Sequence, residues 1–376
     1  MAKIFIFSAF YKPHFGGVER YTEEFSNELA RLGHKVFIIT SNTHGNKFTE
    51  EENSKTVIRL KHYFFLDGRL PFPSSVKEVS TLNKLLKSEL PDLVILNMRA
   101  YPLSILGARL AKRHDTRTVL IDHISGRFDF DNFFVKAASI IYDKTATFYL
   151  KNKIDKFYGV SKKVVQWLRE QKIFDAGVVH NGINPNAAEN NSNAAKKYNL
   201  EENCFNVVFA GRLLPEKGVM VLADAFSKLK QYDIKTKLII IGDGPLYSEL
   251  KNFNSKDVVM TGSIPHEDVT DILKSSQCVV IPSYYPEGLP TLILEAGITE
   301  CALIATKAGG TEEVITHEEN GILIDKRSVN DIFSNILELS QNPEKTKRLA
   351  SNLKNTVLKN FTWKKIVREF SEMENL

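Results

Sequence analysis

Short apolar runs alternate with helix-length amphipathic patterns along the first half of the chain. The runs have the length of single strands and carry little of the polar alternation of a half-exposed strand. Predicted strands cover residues 3–8, 35–40, 92–97, 117–122 and 155–159, and predicted helices cover residues 18–32, 75–89, 101–113, 132–151 and 161–171. Strands buried on both faces and alternating with helices predict a parallel, doubly wound α/β sheet.

The same alternation restarts in the second half and predicts a second α/β sheet. Predicted strands cover residues 206–210, 237–241, 257–261, 278–282 and 302–306, and predicted helices cover residues 217–231, 246–253, 267–275, 290–300, 328–341, 343–359 and 362–373. Residues 182–199 are rich in Asn and Ala with little to bury, which predicts a flexible link. We therefore expect two tandem Rossmann-like domains, with ligands bound beyond the carboxyl ends of the strands in a cleft between the domains.

Length and composition agree with a two-domain protein of the cytoplasm. A chain of 376 residues is too long for one ordinary core. No apolar run approaches the ~20 residues that span a bilayer, and the first residues, MAKIFIFSAF, resemble a strand more than a signal peptide. The three cysteines are widely spaced, without the pattern of a metal site or a disulfide framework, which is typical of a reducing compartment.

The net charge of +5 is unevenly distributed. Residues 1–175 contain 28 Lys and Arg against 19 Asp and Glu, whereas the remainder of the chain is slightly acidic. A basic N-terminal half favours an acidic partner, such as peripheral contact with an anionic membrane or a lipid phosphate. The alternative is a surface bias without function. No nucleic-acid-binding module is recognisable, so the sequence predicts no nucleic-acid partner.

Two acids flank a proline in the stretch EGLPTLILE. Pro290 can start a helix, and the backbone N–H groups of Thr291 and Leu292 then face outward beside the positive dipole end, which suits a phosphate. Glu287 precedes this helix start and Glu295 lies one turn inside it. The layout predicts a bound diphosphate with one acid on each side, as a sugar nucleotide requires. The alternative is an amphipathic helix with solvated acids.

Other candidate residues follow predicted strands. Arg212 and Lys217 in GRLLPEKG can neutralise a leaving diphosphate, the alternative being a helix start with two solvated bases. Gly242 and Gly244 in GDGP can let the backbone approach a ligand, although this pattern is often only a turn. The backbone near Ile264 is expected to touch a base.

The N-terminal half contributes two further candidates. Gly16 and Gly17 precede a helix and can face a phosphate or an acceptor, but they do not form a dinucleotide-binding fingerprint. His123 ends the strand TVLIDH, where it can contact a sugar hydroxyl or stabilise developing charge, the alternative being a structural role.

Two stretches combine aromatic and basic residues. Residues 127–136 contain four Phe between Arg127 and Lys136, and residues 61–72 read KHYFFLDGRLPF. Either stretch can form a lipid-facing lip. The alternative for both stretches is packing in the core.

With these motifs in order, the chain resembles a retaining glycosyltransferase of family four with the GT-B fold. The resemblance runs from the Gly16–Gly17 loop through VVHNGIN, GRLLPEKG, GDGP, EGLPTLILEA and GGTEEVI to NGILI. It implies an N-terminal acceptor-binding domain of residues 1–180 with a crossover helix in residues 360–376, and a C-terminal donor-binding domain of residues 181–359. The chain departs from the family in having no proline after Gly309-Gly310 and in its DHISG sequence around His123.

The resemblance also implies roles for individual residues. Arg212 and Lys217 match residues that bind the diphosphate, Glu287 the acid that holds donor-sugar hydroxyls, Glu295 the acid on the ribose, and His123 a histidine near the sugar. The predicted catalytic residues are Glu287, His123, Arg212 and Lys217, and the predicted donor-binding residues are Gly16, Gly17, Arg212, Lys217, Gly242, Ile264, Gly288, Pro290, Thr291, Leu292 and Glu295.

The implied reaction moves a sugar from a nucleoside diphosphate to a hydroxyl acceptor, with a lipid-linked oligosaccharide or polysaccharide precursor as the expected acceptor. No cofactor and no metal are expected, because family members use none. Asp129 and Asp131 form the Asp-x-Asp pattern by which another glycosyltransferase fold holds a metal, but here they are interpreted as helix-capping acids. The alternatives are a sugar-nucleotide epimerase of the same fold and a transferase with a soluble acceptor.

Overall fold

A computed structural model describes residues 1–14, 16–65, 70–127, 132–189, 193–200, 203–251, 256–325 and 327–376. The chain divides into two compact units. The first unit comprises Met1–Asn181 with Trp363–Leu376, and the second comprises Gly182–Thr362. Each unit contains a largely parallel sheet with helices packed on it, so the predicted α/β class is confirmed.

The first unit is built on ten strands in the described part of the chain. They are β1 (Lys3–Phe7), β2 (Lys35–Ser41), β3 (Thr49–Glu52), β4 (Lys55–Leu60), β5 (His62–Phe65), β6 (Leu70–Pro73), β7 (Leu93–Asn97), β8 (Thr118–Asp122), β9 (Lys156–Gly159) and β10 (Ala176–Val178). The helices are α1 (Gly17–Arg31), α2 (Val76–Glu89), α3 (Pro102–Arg113), α4 (Phe133–Lys151) and α5 (Lys162–Glu170).

The main sheet of this unit has the order β10-β9-β8-β7-β1-β2-β4-β3, parallel except for β3. The five predicted strands form its centre, where apolar residues are buried on both faces. The sequence prediction missed β3, β4, β10 and the separate hairpin of β5 and β6. Strand β3 reads TEEE and pairs only at the sheet edge, where charged residues are tolerated, so it shows no apolar run.

The second unit repeats this construction. Its strands are β11 (Phe205–Ala210), β12 (Thr236–Ile241), β13 (Val258–Gly262), β14 (Cys278–Ile281), β15 (Ala302–Thr306) and β16 (Ile322–Ile324). Its helices are α6 (Ala194–Lys197), α7 (Val219–Leu229), α8 (Tyr247–Lys251), α9 (His266–Lys274), α10 (Thr291–Ile298), α11 (Thr311–Val314), α12 (Val329–Gln341) and α13 (Pro343–Asn360), with 3-10 turns at Pro185–Glu189 and Pro215–Lys217.

The sheet of the second unit has the order β13-β12-β11-β14-β15-β16, and all its pairs are parallel. One apolar core lies on each face of the sheet. The chain moves outward from β11 through β12 to β13, and then crosses to the other side of β11 to form β14. The point between β11 and β14, where the strand order reverses, is where open α/β sheets bind ligands.

The prediction of a flexible link over residues 182–199 is wrong for the described residues. This segment lies entirely within the second unit. Ile183 is buried and pairs with Thr362, while Ala194 is buried at the start of α6, which packs against α9. The polar composition hid these contacts because a few apolar side chains, Ile183 and Ala194 among them, suffice to pack a short segment against the core.

The last helix, α14 (Trp363–Glu374), belongs to the first unit, one residue from its predicted limits at each end. Trp363 packs edge-on against Tyr21 of α1 with ring centroids 5.1 Å apart, and Phe370 packs against Phe25 at 5.1 Å. Glu374 is buried and pairs with Arg117. The end of the chain thus completes the core of the first unit.

Candidate active site

Loops at the carboxyl ends of β11 and β14 bring Lys217, Ser283 and Glu287 together at the strand-order reversal of the second unit. We call these three residues the switch-point cluster. Lys217 ends the 3-10 turn that follows β11, and the other two lie in the loop after β14. Parallel strands place the loops after adjacent carboxyl ends on one edge of the sheet, which explains why residues 70 positions apart meet.

The Lys217 ammonium group donates a hydrogen bond to Glu287 Oε1 and forms an ion pair with it. The Ser283 hydroxyl donates to the same oxygen at 2.9 Å. The ring of Tyr285 lies 5.5 Å from Lys217 Nζ. Both charged side chains keep some exposure, 25% for Lys217 and 16% for Glu287, so a ligand can reach them. The sequence singled out Lys217 and Glu287 separately but missed their contact and missed Ser283.

Glycines hold these loops in place by close backbone packing. Gly309 has φ +56°, and a Cβ atom there would lie 2.6 Å from the carbonyl oxygen of Gly288. Gly242 has φ +132°, and its Cβ would lie 1.9 Å from the carbonyl oxygen of Gly211. The sequence analysis assigned Gly242 and Gly244 to ligand approach. In the structure, the neighbours that exclude a side chain at Gly242 are protein backbone atoms.

Helix α10 begins at Thr291, and Pro290 is its N-cap residue without a side-chain cap. The helix therefore begins one position after its predicted start at Pro290. The first amides of a helix have no acceptor within it, so those of Thr291 and Leu292 are available to an anion. Glu295 lies one turn further into α10 and is buried, with 7% of its surface exposed.

Two other predicted donor-binding residues follow strands of the same sheet, which β12 separates. Arg212 follows β11 and is exposed, and no ion pair or hydrogen bond of its guanidinium group is found within the described ranges. Ile264 follows β13, is half-buried, and packs against one core of the second unit. Lys217 and Arg212 are thus not equivalent, because only Lys217 is held by an acid in the described structure.

His123 belongs to the first unit, at the carboxyl end of β8. Its Nε2 lies 3.2 Å from Asn97 Oδ1, and the Asn97 amide donates to Thr22 Oγ1 at 2.9 Å. The assigned orientation of the Asn97 amide points its oxygen at the imidazole, which favours the tautomer with Nε2 protonated. The ring of Tyr21 packs edge-on against the imidazole at 4.6 Å. Burial lowers the pKa of His123 to about 3, so the ring is neutral at physiological pH.

Gly16 and Gly17 lie at the start of α1, the helix that also carries Tyr21 and Thr22. Gly16 is the N-cap residue in an extended conformation, and Gly17 is the first helical residue. A Cβ atom on Gly17 would have no neighbour within 4 Å among the described atoms. One helix therefore joins the predicted glycine loop to the surroundings of His123. Asp129 and Asp131 lie outside the described residues, so their interpretation as capping acids stays a prediction.

Two family models together match most of the chain. Residues 15–187 match the model described as Glycosyltransferase Family 4, and residues 190–356 match Glycosyl transferases group 1. The chain is a glycosyltransferase of the family-four type. The first model covers Gly16, Gly17 and His123, and the second covers the switch-point cluster.

Several glycosyltransferases are similar to this one in sequence. An uncharacterised glycosyltransferase of Methanocaldococcus jannaschii is 28% identical over 99% of this chain and 97% of its own length. The GPI3 subunit of the phosphatidylinositol N-acetylglucosaminyltransferase of Saccharomyces cerevisiae is 24% identical over 97% and 80%. The UDP-Gal:alpha-D-GlcNAc-diphosphoundecaprenol alpha-1,3-galactosyltransferase of Escherichia coli is 26% identical over 80% and 79%.

Solved structures share the fold of this glycosyltransferase over its whole length. Sucrose-phosphate synthase of Thermosynechococcus elongatus is 19% identical, with a TM-score of 0.81 over 100% of this chain and 98% of that chain. HepE of Anabaena, in complex with UDP-glucose, is 18% identical, with a TM-score of 0.77 over 100% of both chains. The predicted GT-B fold is confirmed.

No helix of the glycosyltransferase, within the residues that the structure describes, is long and apolar enough to cross a bilayer.

Proposed function

We propose that this glycosyltransferase moves a sugar from a nucleoside diphosphate to a hydroxyl acceptor and keeps the anomeric configuration. The observation that carries the proposal is the switch-point cluster, in which an ammonium group and a carboxylate meet where α/β sheets bind ligands. A cation there suits a diphosphate, and the carboxylate suits sugar hydroxyls. The solved HepE complex with UDP-glucose, a protein of the same fold, supports this class of donor.

Each residue has a proposed part in the departure of the diphosphate. Lys217, Arg212 and the first amides of α10 stabilise the negative charge that develops on the leaving phosphate, each key group contributing about 3–4 kcal/mol to the transition state. Glu287 orients the donor sugar through its hydroxyls, while Glu295 holds the ribose. Gly242, Gly288 and Ile264 line the nucleotide.

The proposed chemistry needs no protein base and no metal. The acceptor hydroxyl attacks the anomeric carbon on the face that the diphosphate leaves, and the leaving phosphate oxygen takes the acceptor proton. The C–O bond to the phosphate breaks as the new glycosidic bond forms. His123, neutral and buried, serves as a hydrogen-bonding group near the sugar and not as an acid.

Replacement of Lys217 by Ala tests the proposal. A panel of nucleoside diphosphate sugars is first screened by thermal shift, and the donor that binds is used in a transfer assay with proton NMR of the product anomer. We expect K217A to reduce turnover about 100-fold or more with an unchanged melting temperature. Lys228→Ala is the matched control, because Lys228 contacts Asn330 on an exposed surface of the same unit.

Near-normal turnover of K217A contradicts the role of Lys217, and an inverted product contradicts retention. A sugar epimerised by the enzyme with donor alone supports an epimerase instead.

We infer that the acceptor is lipid-linked and that the basic first unit contacts an anionic membrane surface. The names of two relatives specify lipid-linked acceptors, phosphatidylinositol in one and a diphosphoundecaprenol in the other. The excess of Lys and Arg in residues 1–175 supports the contact.

Sedimentation with vesicles containing phosphatidylglycerol tests the membrane contact. We expect binding at low salt and release at high salt, because the attraction is screened within about 10 Å at 0.1 M salt. Vesicles of phosphatidylcholine alone are the control. Binding that does not depend on salt or on the anionic lipid contradicts the inference.

A further inference from the structure

A cavity of about 480 Å³ opens in the first unit between the β5–β6 hairpin and α4. Its walls include Phe65, Leu70 and Phe72 from the hairpin and Phe134, Val135 and Ala138 from α4. Its size lies in the ~300–1,000 Å³ range of small-molecule sites. Described residues of both aromatic-basic stretches, Phe65, Phe72 and Phe134 among them, therefore line one apolar cavity.

An exposed apolar stripe leads away from this cavity along α4. Phe134, Ile141 and Phe148 are spaced by seven residues, two helical turns, and therefore lie on one face of α4. They are 80%, 65% and 73% exposed. Large exposed apolar side chains aligned in this way mark a surface that contacts a membrane or another protein.

The charged residues of α4 indicate the sign of the charge on its partner. Its charged residues are Lys136, Asp143, Lys144 and Lys151. Asp143 is buried and paired with Arg99 at 3.1 Å and with Arg127 at 2.9 Å, so it presents little charge to solvent. The charged groups on the outer surface of α4 are lysines, which complement an anionic head group.

The cavity adjoins the loop that carries His123. Ile124 and Gly126, which follow His123 after β8, also line the cavity. A chain held there is thus close to the residue predicted to lie near the reacting sugar. This position favours the acceptor itself over a lipid of the surrounding bilayer.

We propose that this cavity holds the hydrocarbon chain of a phosphate-linked acceptor lipid. The proposal rests on the proposed function, in which the acceptor is lipid-linked, and adds the site of its chain. The stripe on α4 faces the membrane, and Lys136, directly after the cavity-lining Val135, meets the phosphate. The length of the hydrocarbon chain affects binding, because the favourable free energy grows with the apolar surface that the cavity walls bury.

Calorimetric titration with farnesyl phosphate, kept below its micelle concentration, tests the proposal. This probe has one prenyl chain and one phosphate. Ala138→Trp fills the cavity from an exposed helix position, so it should fold normally. We expect A138W to bind the probe at least tenfold more weakly than the wild type, with Phe72→Ser as a second cavity variant. Phe148→Ser is the matched control, because Phe148 lies on the stripe and outside the cavity lining.

Equal binding by A138W and the wild type overturns the proposal. An equal loss in F148S also overturns it, because the probe then adheres to the stripe as a bilayer lipid would. Thermal shift with UDP separates this result from the proposed function. If the wild type binds UDP but not farnesyl phosphate, the proposed chain site is overturned and the proposed donor class stands. If the wild type binds farnesyl phosphate but no nucleotide, the chain site stands and the proposed donor class is contradicted.

Discussion

At the scale of single residues, His123 shows how burial decides protonation. His123 is 8% exposed, and its imidazole faces an amide oxygen and an aromatic ring. Among the described residues, no carboxylate is in hydrogen-bond contact with the ring. Desolvation therefore dominates and lowers its pKa to about 3. The charged form is therefore scarce near neutral pH, which argues against acid catalysis by this ring.

We predict that the His123 ring does not titrate between pH 8 and pH 5. Because the folded pKa lies below the unfolded value of about 6.5, the unfolded state binds more protons as the pH falls through this window. Lowering the pH from 7 to 5 should cost the folded state about 2 kcal/mol through this residue. NMR of ¹³C-labelled histidine checks the pKa, with His123→Gln to assign the signal, and a midpoint near pH 6 would contradict the prediction.

The switch-point cluster shows what a residue pattern can and cannot predict. Lys217 and Glu287 were predictable because each follows an apolar strand, where loops reach the ligand edge of a sheet. Their ion pair was not predictable, because it depends on β11 and β14 being neighbours in space. Ser283 carried a weak signal, its place directly after a predicted strand.

At the scale of elements, the loops after the parallel strands pack backbone against backbone. Gly310 donates from its amide to the carbonyl of Gly288 at 2.6 Å, and Gly309 leaves no room for a side chain between them. The loop before α11 therefore supports the loop that carries Glu287. The position of that carboxylate thus depends on backbone packing by a loop distant in sequence.

We predict that Gly309→Ala reduces turnover more than tenfold, because the added methyl group must displace the loop of Glu287 and Gly288. Gly33→Ala is the control, since Gly33 has a similar positive φ of +89° with no described atom within 4 Å of its Cβ. Left-handed strain alone should lower the stability of both variants by about 1–2 kcal/mol. Steady-state kinetics and thermal melting measure both effects, and equal kinetics of the two variants would refute a specific role of the packing.

At the scale of the whole molecule, the chain returns to its first unit after building the second. Helix α14 buries Trp363 against Tyr21, and Tyr21 in turn packs on His123. Residues from the two ends of the chain therefore form one wall of the His123 site. Truncation at the C-terminus removes part of the first unit and not a tail.

We predict that Trp363→Ala destabilises the first unit by about 3–5 kcal/mol, through a cavity left beneath α1. The Trp363 side chain is buried, and the aromatic rings around it cannot fill the space without moving α1. Hydrogen exchange followed by mass spectrometry reports each unit separately. Faster exchange in α1, β8 and α14 is expected, with β11 to β15 unchanged, and uniform acceleration in both units would contradict this assignment.

The sequence by itself determined the α/β class, most strands and helices, and the residues that face the ligand edges, because local periodicity and strand ends are properties of neighbouring residues. Only the tertiary structure decided which residues distant in sequence are in contact. Strand order brought Lys217 to Glu287, and the hairpin met α4 to form the apolar cavity. The residues 182–199 proved to be part of a unit and not a link. Contacts between distant segments follow from sheet topology and packing, which no local pattern encodes.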